Sequence, residues 1–280
     1  MAISDNILKT RSVKANGHFG EWMQGRLGET DRIALISVQC PHFWVRANFT
    51  DAVELHYDDG LPSLPRDKLV ELLLALNNSP LGRFVVDSNM QFGAGLGAST
   101  ASLLAIARVA EKSDASLAFL SQAILSVEGA SDPIMYPDFD QLLWASREAK
   151  ILDKYASPPP FEVLGALWGN PQRTDPSDRN FPDISDLIPI WRDATQAQDH
   201  DRVASLSTES FKRTSDLRGS DADPSTTIAK DLGALGVIRA HTGSARGFLF
   251  KPGGVPQSGL NLLAEAGYSD AGTFKTGAHS

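Results

Sequence analysis

The chain has 280 residues, 42% of them hydrophobic and 21% charged, which is the balance of an ordinary globular protein with enough length for one large domain or two lobes; two are expected. Its 34 acidic residues outnumber 26 basic ones, and the resulting charge of -8 argues against nucleic acid or an anionic membrane as partner. No apolar run approaches the roughly 20 residues that span a bilayer, the first residues carry no apolar leader core, and the one cysteine, Cys40, has no internal disulfide partner, so a cytoplasmic protein is expected.

Residues 41–58 alternate apolar and polar side chains on either side of Thr50-Asp51, which predicts a half-buried antiparallel hairpin. Leucines at helical spacing predict a helix over 67–77, followed by a turn at Asn78-Ser79-Pro80 and a strand over 83–90. A glycine-rich stretch, 93–97, then leads into a predicted helix over 99–112 and a second over 115–127, with no strand between them.

The run Ser157-Pro158-Pro159-Pro160 stops a helix and stiffens the connection, and a lobe boundary is placed there, giving segments 1–155 and 161–280. Beyond it the sequence predicts a strand over 161–169, a loop over 170–183, a helix over 226–239, a strand over 247–250 and a short helix over 260–266. The last residues are read as loose.

The segment Gly93-Ala94-Gly95-Leu96-Gly97-Ala98-Ser99-Thr100 carries the clearest chemistry. Glycines allow otherwise costly dihedrals and a close backbone approach, and amide groups at a helix start bind anions, so the segment fits a phosphate cradle. A dinucleotide fingerprint would require a second strand ending in an acidic residue, where two helices follow instead. A P-loop would require a lysine after the last glycine. Gly97-Ala98-Ser99-Thr100-Ala101 also imitates a hydrolase nucleophile elbow, with His241 as a base, and a plain glycine turn with a Ser/Thr cap is the remaining reading.

Two further segments join it. Gly17-His18-Phe19-Gly20-Glu21-Trp22-Met23-Gln24-Gly25 near the start, the central GAGLGAST and the late Ala240-His241-Thr242-Gly243-Ser244 resemble, in that order, the three motifs of the GHMP small-molecule kinases. The first and third look most like those of the L-threonine kinases of cobalamin side-chain synthesis and propanediol utilisation. Residues 127–135 resemble the E-P-T-D segment of such kinases, with Gly129 in place of the proline. Ser102 stands where the threonine kinases commonly carry an acidic residue.

The resemblance implies an α+β, two-lobe fold, with an N-terminal lobe like ribosomal protein S5 domain 2 and a ferredoxin-like C-terminal lobe. It implies ATP and Mg2+ as cofactors and a small hydroxylated metabolite, L-threonine first, as partner. The glycine segment would bind ATP, with Ser99 and Glu128 as oxygen ligands of magnesium. Asp132 would accept or orient the acceptor's proton. Gly20, Glu21 and Gln24, with Thr242, Gly243 and Ser244, would contact the substrate, Glu21 receiving an ammonium. His241 reads more naturally as a packing histidine, and no feature reports an oligomer.

Overall fold

The computed structural model describes residues 10–59, 64–110, 115–218 and 223–277. The first nine residues, on which the absence of a leader was partly read, and the tips 111–112 and 278–280 of expected elements lie outside them. Two long strands, β1 (Thr10–Leu27) and β2 (Arg32–Thr50), form an antiparallel ribbon. Then follow β3 (Leu55–Asp59), α1 (Arg66–Ala75), β4 (Gly82–Ser88), α2 (Ala98–Ala110) and α3 (Leu117–Glu128). A hairpin of β5 (Leu142–Ala145) and β6 (Lys150–Lys154) comes next, and residues 155–161, outside any helix or strand, lead to β7 (Glu162–Leu167). The remainder is α4 (Leu187–Gln196), α5 (His200–Arg218), α6 (Ser225–Leu232), β8 (Gly236–Arg239), β9 (Ala245–Phe250), α7 (Gly259–Glu265) and β10 (Ser269–Lys275).

Among the described residues the strands join in one mixed sheet of order β10-β7-β9-β8-β1-β2-β4-β3, with the β5–β6 hairpin attached to β2. Its two halves meet at a single residue pair, Glu21 opposite Arg239. Helix α2 packs on β1 and β2, with α1 and α3 against it; α5 covers β8 and β1. All but two of the residues of α2 are buried, so its Ala/Leu composition serves a core helix rather than an amphipathic one. The fold is the α+β arrangement expected.

Three local expectations are corrected. Residues 41–58 do hold two strands, but they form no hairpin: β4 lies between them, antiparallel to β2 and parallel to β3. Alternation reports a half-buried strand and not its neighbour. Residues 226–239 are not one helix, because Gly233 takes a left-handed φ of 68 and caps α6, after which Val237 and Ile238 favour the strand β8. The tail from Ser269 is not loose but pairs with β7 as an edge strand, with Phe274 alone buried along it.

Helices α4 and α5 gave little signal. Pro189 occupies the first turn of α4, where no intrahelical acceptor is needed. In α5 the Ser and Thr residues weaken the pattern; Ser207 and Thr208 return their hydroxyls to the carbonyls of Val203 and Ala204 at 3.1 and 2.8 Å. Both are fixed by packing. Trp191 of α4 is fully buried with its ring 6.0 Å from Trp22 of β1, which in turn lies 5.5 Å from Phe161. Trp191→Ala is expected to destabilise the protein by about 3–5 kcal/mol through the cavity it leaves, read by urea unfolding; a loss under about 1 kcal/mol would show that this cluster does not hold α4 in place.

Candidate active site

The glycine segment forms a loop in which residue types alternate by position. Gly93, Gly95 and Gly97 take left-handed φ values of 80, 82 and 70, while the intervening Ala94, Leu96 and Ala98 are buried. A side chain at Gly95 would overlap the methyl of Ala240, and one at Gly97 would overlap the His18 ring. The loop's carbonyls are all occupied: Gly93 O accepts from Gln172 N at 2.9 Å, Ala94 O from Ala245 N at 2.8 Å, Gly95 O from Gly20 N at 3.1 Å and Leu96 O from His18 N at 3.0 Å. With these acceptors taken up inside the protein, the loop and the first turn of α2, whose amides have no intrahelical acceptor, line a cavity of about 440 Å³.

Strand β1 supplies the next wall. Residues three apart on a regular strand face opposite sides, yet His18, Glu21 and Gln24 all line this cavity. Bulges reconcile the two. His18 and Glu21 oppose Gln39 and Ser37, so three steps on β1 match two on β2, and further shifts fall between Asn16 and His18 and between Glu21 and Met23. Gly20 makes the bulge between His18 and Glu21 with a φ of 64, and a Cβ there would come within 2.8 Å of the Arg239–Ala240 backbone.

Helix α3 ends toward the cavity. Its cap, Gly129, has a φ of 70 that proline cannot adopt, which accounts for the glycine in the E-P-T-D-like segment. The chain reverses there, bringing Glu128 and Asp132 to α2: Ser99 donates to Glu128, and Thr100 Oγ1 lies 3.3 Å from Asp132 Oδ2. Burial pushes the Glu128 carboxyl up to about 7 against the opposing Ser99 hydrogen bond. These two convergent oxygens suit magnesium, which prefers few protein ligands and keeps phosphate and water oxygens. No cluster of three or more His, Cys, Asp or Glu side chains able to hold a metal occurs among the described residues.

Asp132 is paired with His18, whose Nε2 lies 3.3 Å from Oδ2; the ring's Nδ1 is 3.2 Å from Gly20 O and 3.9 Å from Glu21 Oε1. Burial disfavours the imidazolium, but Asp132 and then Glu21 outweigh it and raise the histidine to about 9. Burial acts on Asp132 in the opposite sense, and His18, Thr100 and Arg147 together hold its carboxyl below the usual range. Glu21, buried at the centre of the sheet, is pushed up to about 8.

The far wall comes from Ala240, His241, Thr242 and Gly243, and from the loop before Asp183, where Thr174 Oγ1 is 3.2 Å from Thr242 Oγ1. His241 is stacked on Phe181 with ring centroids 3.8 Å apart, its Nε2 faces Arg218, and burial with the Arg218 and Arg239 charges drives its pKa to about 2. Ser99 meets Glu128 and not His241, so no serine–histidine pair is formed.

Gly20, Ala94 and Ser244 do not line the cavity. Gly20 and Ala94 tie the loop to the strands, and Ser244 O accepts from Trp168 N at 2.8 Å. Ser102 is fully buried, its hydroxyl returned to Ala98 O at 2.8 Å, so it does not reach the site. The remaining expected residues share the one cavity. Sequence reasoning gave no role to His18, Lys68, Arg147 or Arg173, which also line it. Only His18 lay within a quoted motif; the arginines come from a hairpin turn and a loop without pattern. Cys40 is buried with its thiol pushed up to about 12 by burial, a packing residue.

No family model and no curated protein matches the sequence. Solved structures do match. Phosphomevalonate kinase from Streptococcus pneumoniae superposes with a TM-score of 0.68 at 14% identity, covering 95% of this chain and 98% of that one. Homoserine kinase from Cytophaga hutchinsonii gives 0.62 at 14% identity over 99% and 96% of the two chains. MDDEF in complex with MVAPP, AMPPCP and magnesium gives 0.60 at 12% identity over 96% and 97%. The chain therefore has the GHMP kinase fold over nearly its whole length.

The His18–Asp132 pair has a direct signature. Its contribution to stability is present in full below the ordinary histidine value of 6.5 and is lost as pH rises through about 9. NMR titration is expected to find His18 near 9, and Asp132→Asn to bring it down toward or below its ordinary value because burial is then less opposed. A His18 value near 6.5 in the unsubstituted protein would contradict the pairing.

Proposed function

We propose that this protein is an ATP-dependent kinase that phosphorylates a hydroxyl group of a small metabolite, with L-threonine as acceptor and O-phospho-L-threonine as product. The observation that supports it is one cavity joining the glycine loop, the Ser99–Glu128 oxygen pair and the His18–Asp132 pair. The fold, shared with metabolite kinases, and the three motifs favour the same reading. The motif likeness to the L-threonine kinases selects the acceptor, and with it the making of the cobalamin aminopropanol linker. Segments 1–155 and 161–280 would act as two lobes meeting at the Glu21–Arg239 pair.

In this reading the nucleobase rests on the apolar side of the cavity, against Leu64, Phe92 and Val127, and the phosphates lie along the loop amides. Ser99 and Glu128 would hold magnesium, which neutralises charge on the phosphate oxygens. The acceptor's oxygen forms a bond to the γ-phosphorus while the bond to the β,γ-bridging oxygen breaks and ADP leaves. Asp132 orients the hydroxyl and receives its proton, a modest demand because bond breaking leads in such transfers. His18 keeps Asp132 ionised and aimed, and Glu21 with Gln24 receives the acceptor's ammonium.

ATP with magnesium is expected to raise the melting temperature, and Gly97→Val to abolish that shift by crowding His18 and closing the loop. With L-threonine as acceptor, Asp132→Asn is expected to lower kcat by about a hundredfold or more while leaving the nucleotide shift in place. Unchanged turnover would exclude Asp132 as the proton acceptor. Hydrolysis of esters without nucleotide, blocked by a serine-directed phosphonate, would replace the kinase reading with the hydrolase one.

A further inference from the structure

The geometry points to Arg147 as the residue that recognises the carboxylate of the acceptor; this rests on the kinase reading above. Arg147 sits in the turn between β5 and β6. That turn is fixed from three sides: Ser146 N donates to Ile33 O at 3.3 Å, Gln122 Nε2 to Glu148 O at 2.8 Å, and Ser131 N to Ser146 O at 2.9 Å. The last of these bonds sets Arg147 beside the segment that carries Asp132.

Arg147 lines the cavity with only part of its donor capacity used. Nη2 donates to Asp175 O at 3.2 Å, whereas Nε is buried without a hydrogen-bond partner. Burial weighs against its charge, and Asp132 is the neighbour that most offsets this. A buried ionic donor with no acceptor is costly, so a ligand that completes its hydrogen bonds is favoured there. A carboxylate matches the guanidinium fork with two parallel hydrogen bonds.

Charge placement separates this group from the nucleotide. Lys68 stands at the Glu128 end, already bonded to Glu71 at 2.8 Å and to Val127 O at 2.9 Å. The charges that face Arg147 are Asp132 and those of Asp175, Asp178 and Arg179, while those around Glu128 are Asp132 and Lys68. The Ser131–Ser146 bond sets Arg147 next to Asp132, which on the kinase reading meets the acceptor, and this assigns Arg147 to the acceptor's end. There the ionised Asp132 would repel an anionic substrate, and Arg147 supplies the opposing charge that admits one.

The test uses the full chain with ATP and magnesium and two acceptor pairs that differ only by a carboxylate: L-threonine against 1-aminopropan-2-ol, and L-homoserine against 3-aminopropan-1-ol. The unsubstituted protein is expected to prefer the acid of the better pair by about a hundredfold in kcat/KM, carried mainly by KM, and Arg147→Gln to reduce that preference below about tenfold with KM for ATP unchanged. Arg147→Lys, which keeps charge and volume but loses the fork, is expected to fall between and covers the case in which the Gln variant does not fold. A preference that survives in both variants, its absence in the unsubstituted protein, or an equal fall in kcat for acid and amine would overturn the assignment. Transfer to no acceptor, despite an ATP-induced thermal shift, would overturn the kinase reading and the Arg147 assignment with it.

Discussion

The site depends on where the carbonyl oxygens of the glycine loop go. Four successive carbonyls, from Gly93 to Leu96, are taken by four backbone N–H groups, two from β1 and one each from Gln172 and Ala245. A loop free to rotate would offer anions its oxygens as readily as its amides, and a phosphate would be repelled as often as bound. Satisfying the oxygens internally fixes the polarity of the exposed edge before any ligand arrives. The left-handed glycines are the means: their positive φ lets the apolar residues between them, Ala94 and Leu96, enter the core.

The same pinning links distant parts of the chain. β1 reaches the loop through His18 and Gly20, and its bulges put His18, Glu21 and Gln24 on the cavity side. The first and second motifs are therefore parts of a single backbone arrangement, and the third, through Ala240 against Gly95 and Gly243 against Ala94, completes it. Three buried or half-buried carboxylates converge on the cavity, and the cations that balance them are distributed: His18 on Asp132, Lys68 near Glu128, Arg147 opposite. An unbalanced cluster of this kind would shed its charge by protonation, as the raised values of Glu21 and Glu128 already begin to show.

Much of this was legible in the residues, and the limits have physical causes. Helices α1, α2 and α3 follow from apolar spacing, and the glycine loop from its composition. Strand pairing was not legible, since alternation says which face is buried but not which strand lies alongside, and β4 enters between β2 and β3. Helix α5 was hidden by hydroxyl side chains that bond back to its own carbonyls, and β8 by Leu235 and Ile238 continuing a helical apolar spacing past Gly233. Within the site, the motif residues were found by their company in sequence. Arg147 and Arg173 were not, because tertiary structure alone brings them there.

A crystal structure with a nonhydrolysable ATP analogue and magnesium tests the central claim most directly. The account predicts phosphate oxygens within hydrogen-bond distance of the amides between Gly95 and Ser99, with the carbonyls of residues 93–96 still held by their present partners. A nucleotide bound elsewhere, or a loop whose carbonyls turn out to meet the ligand, would contradict it.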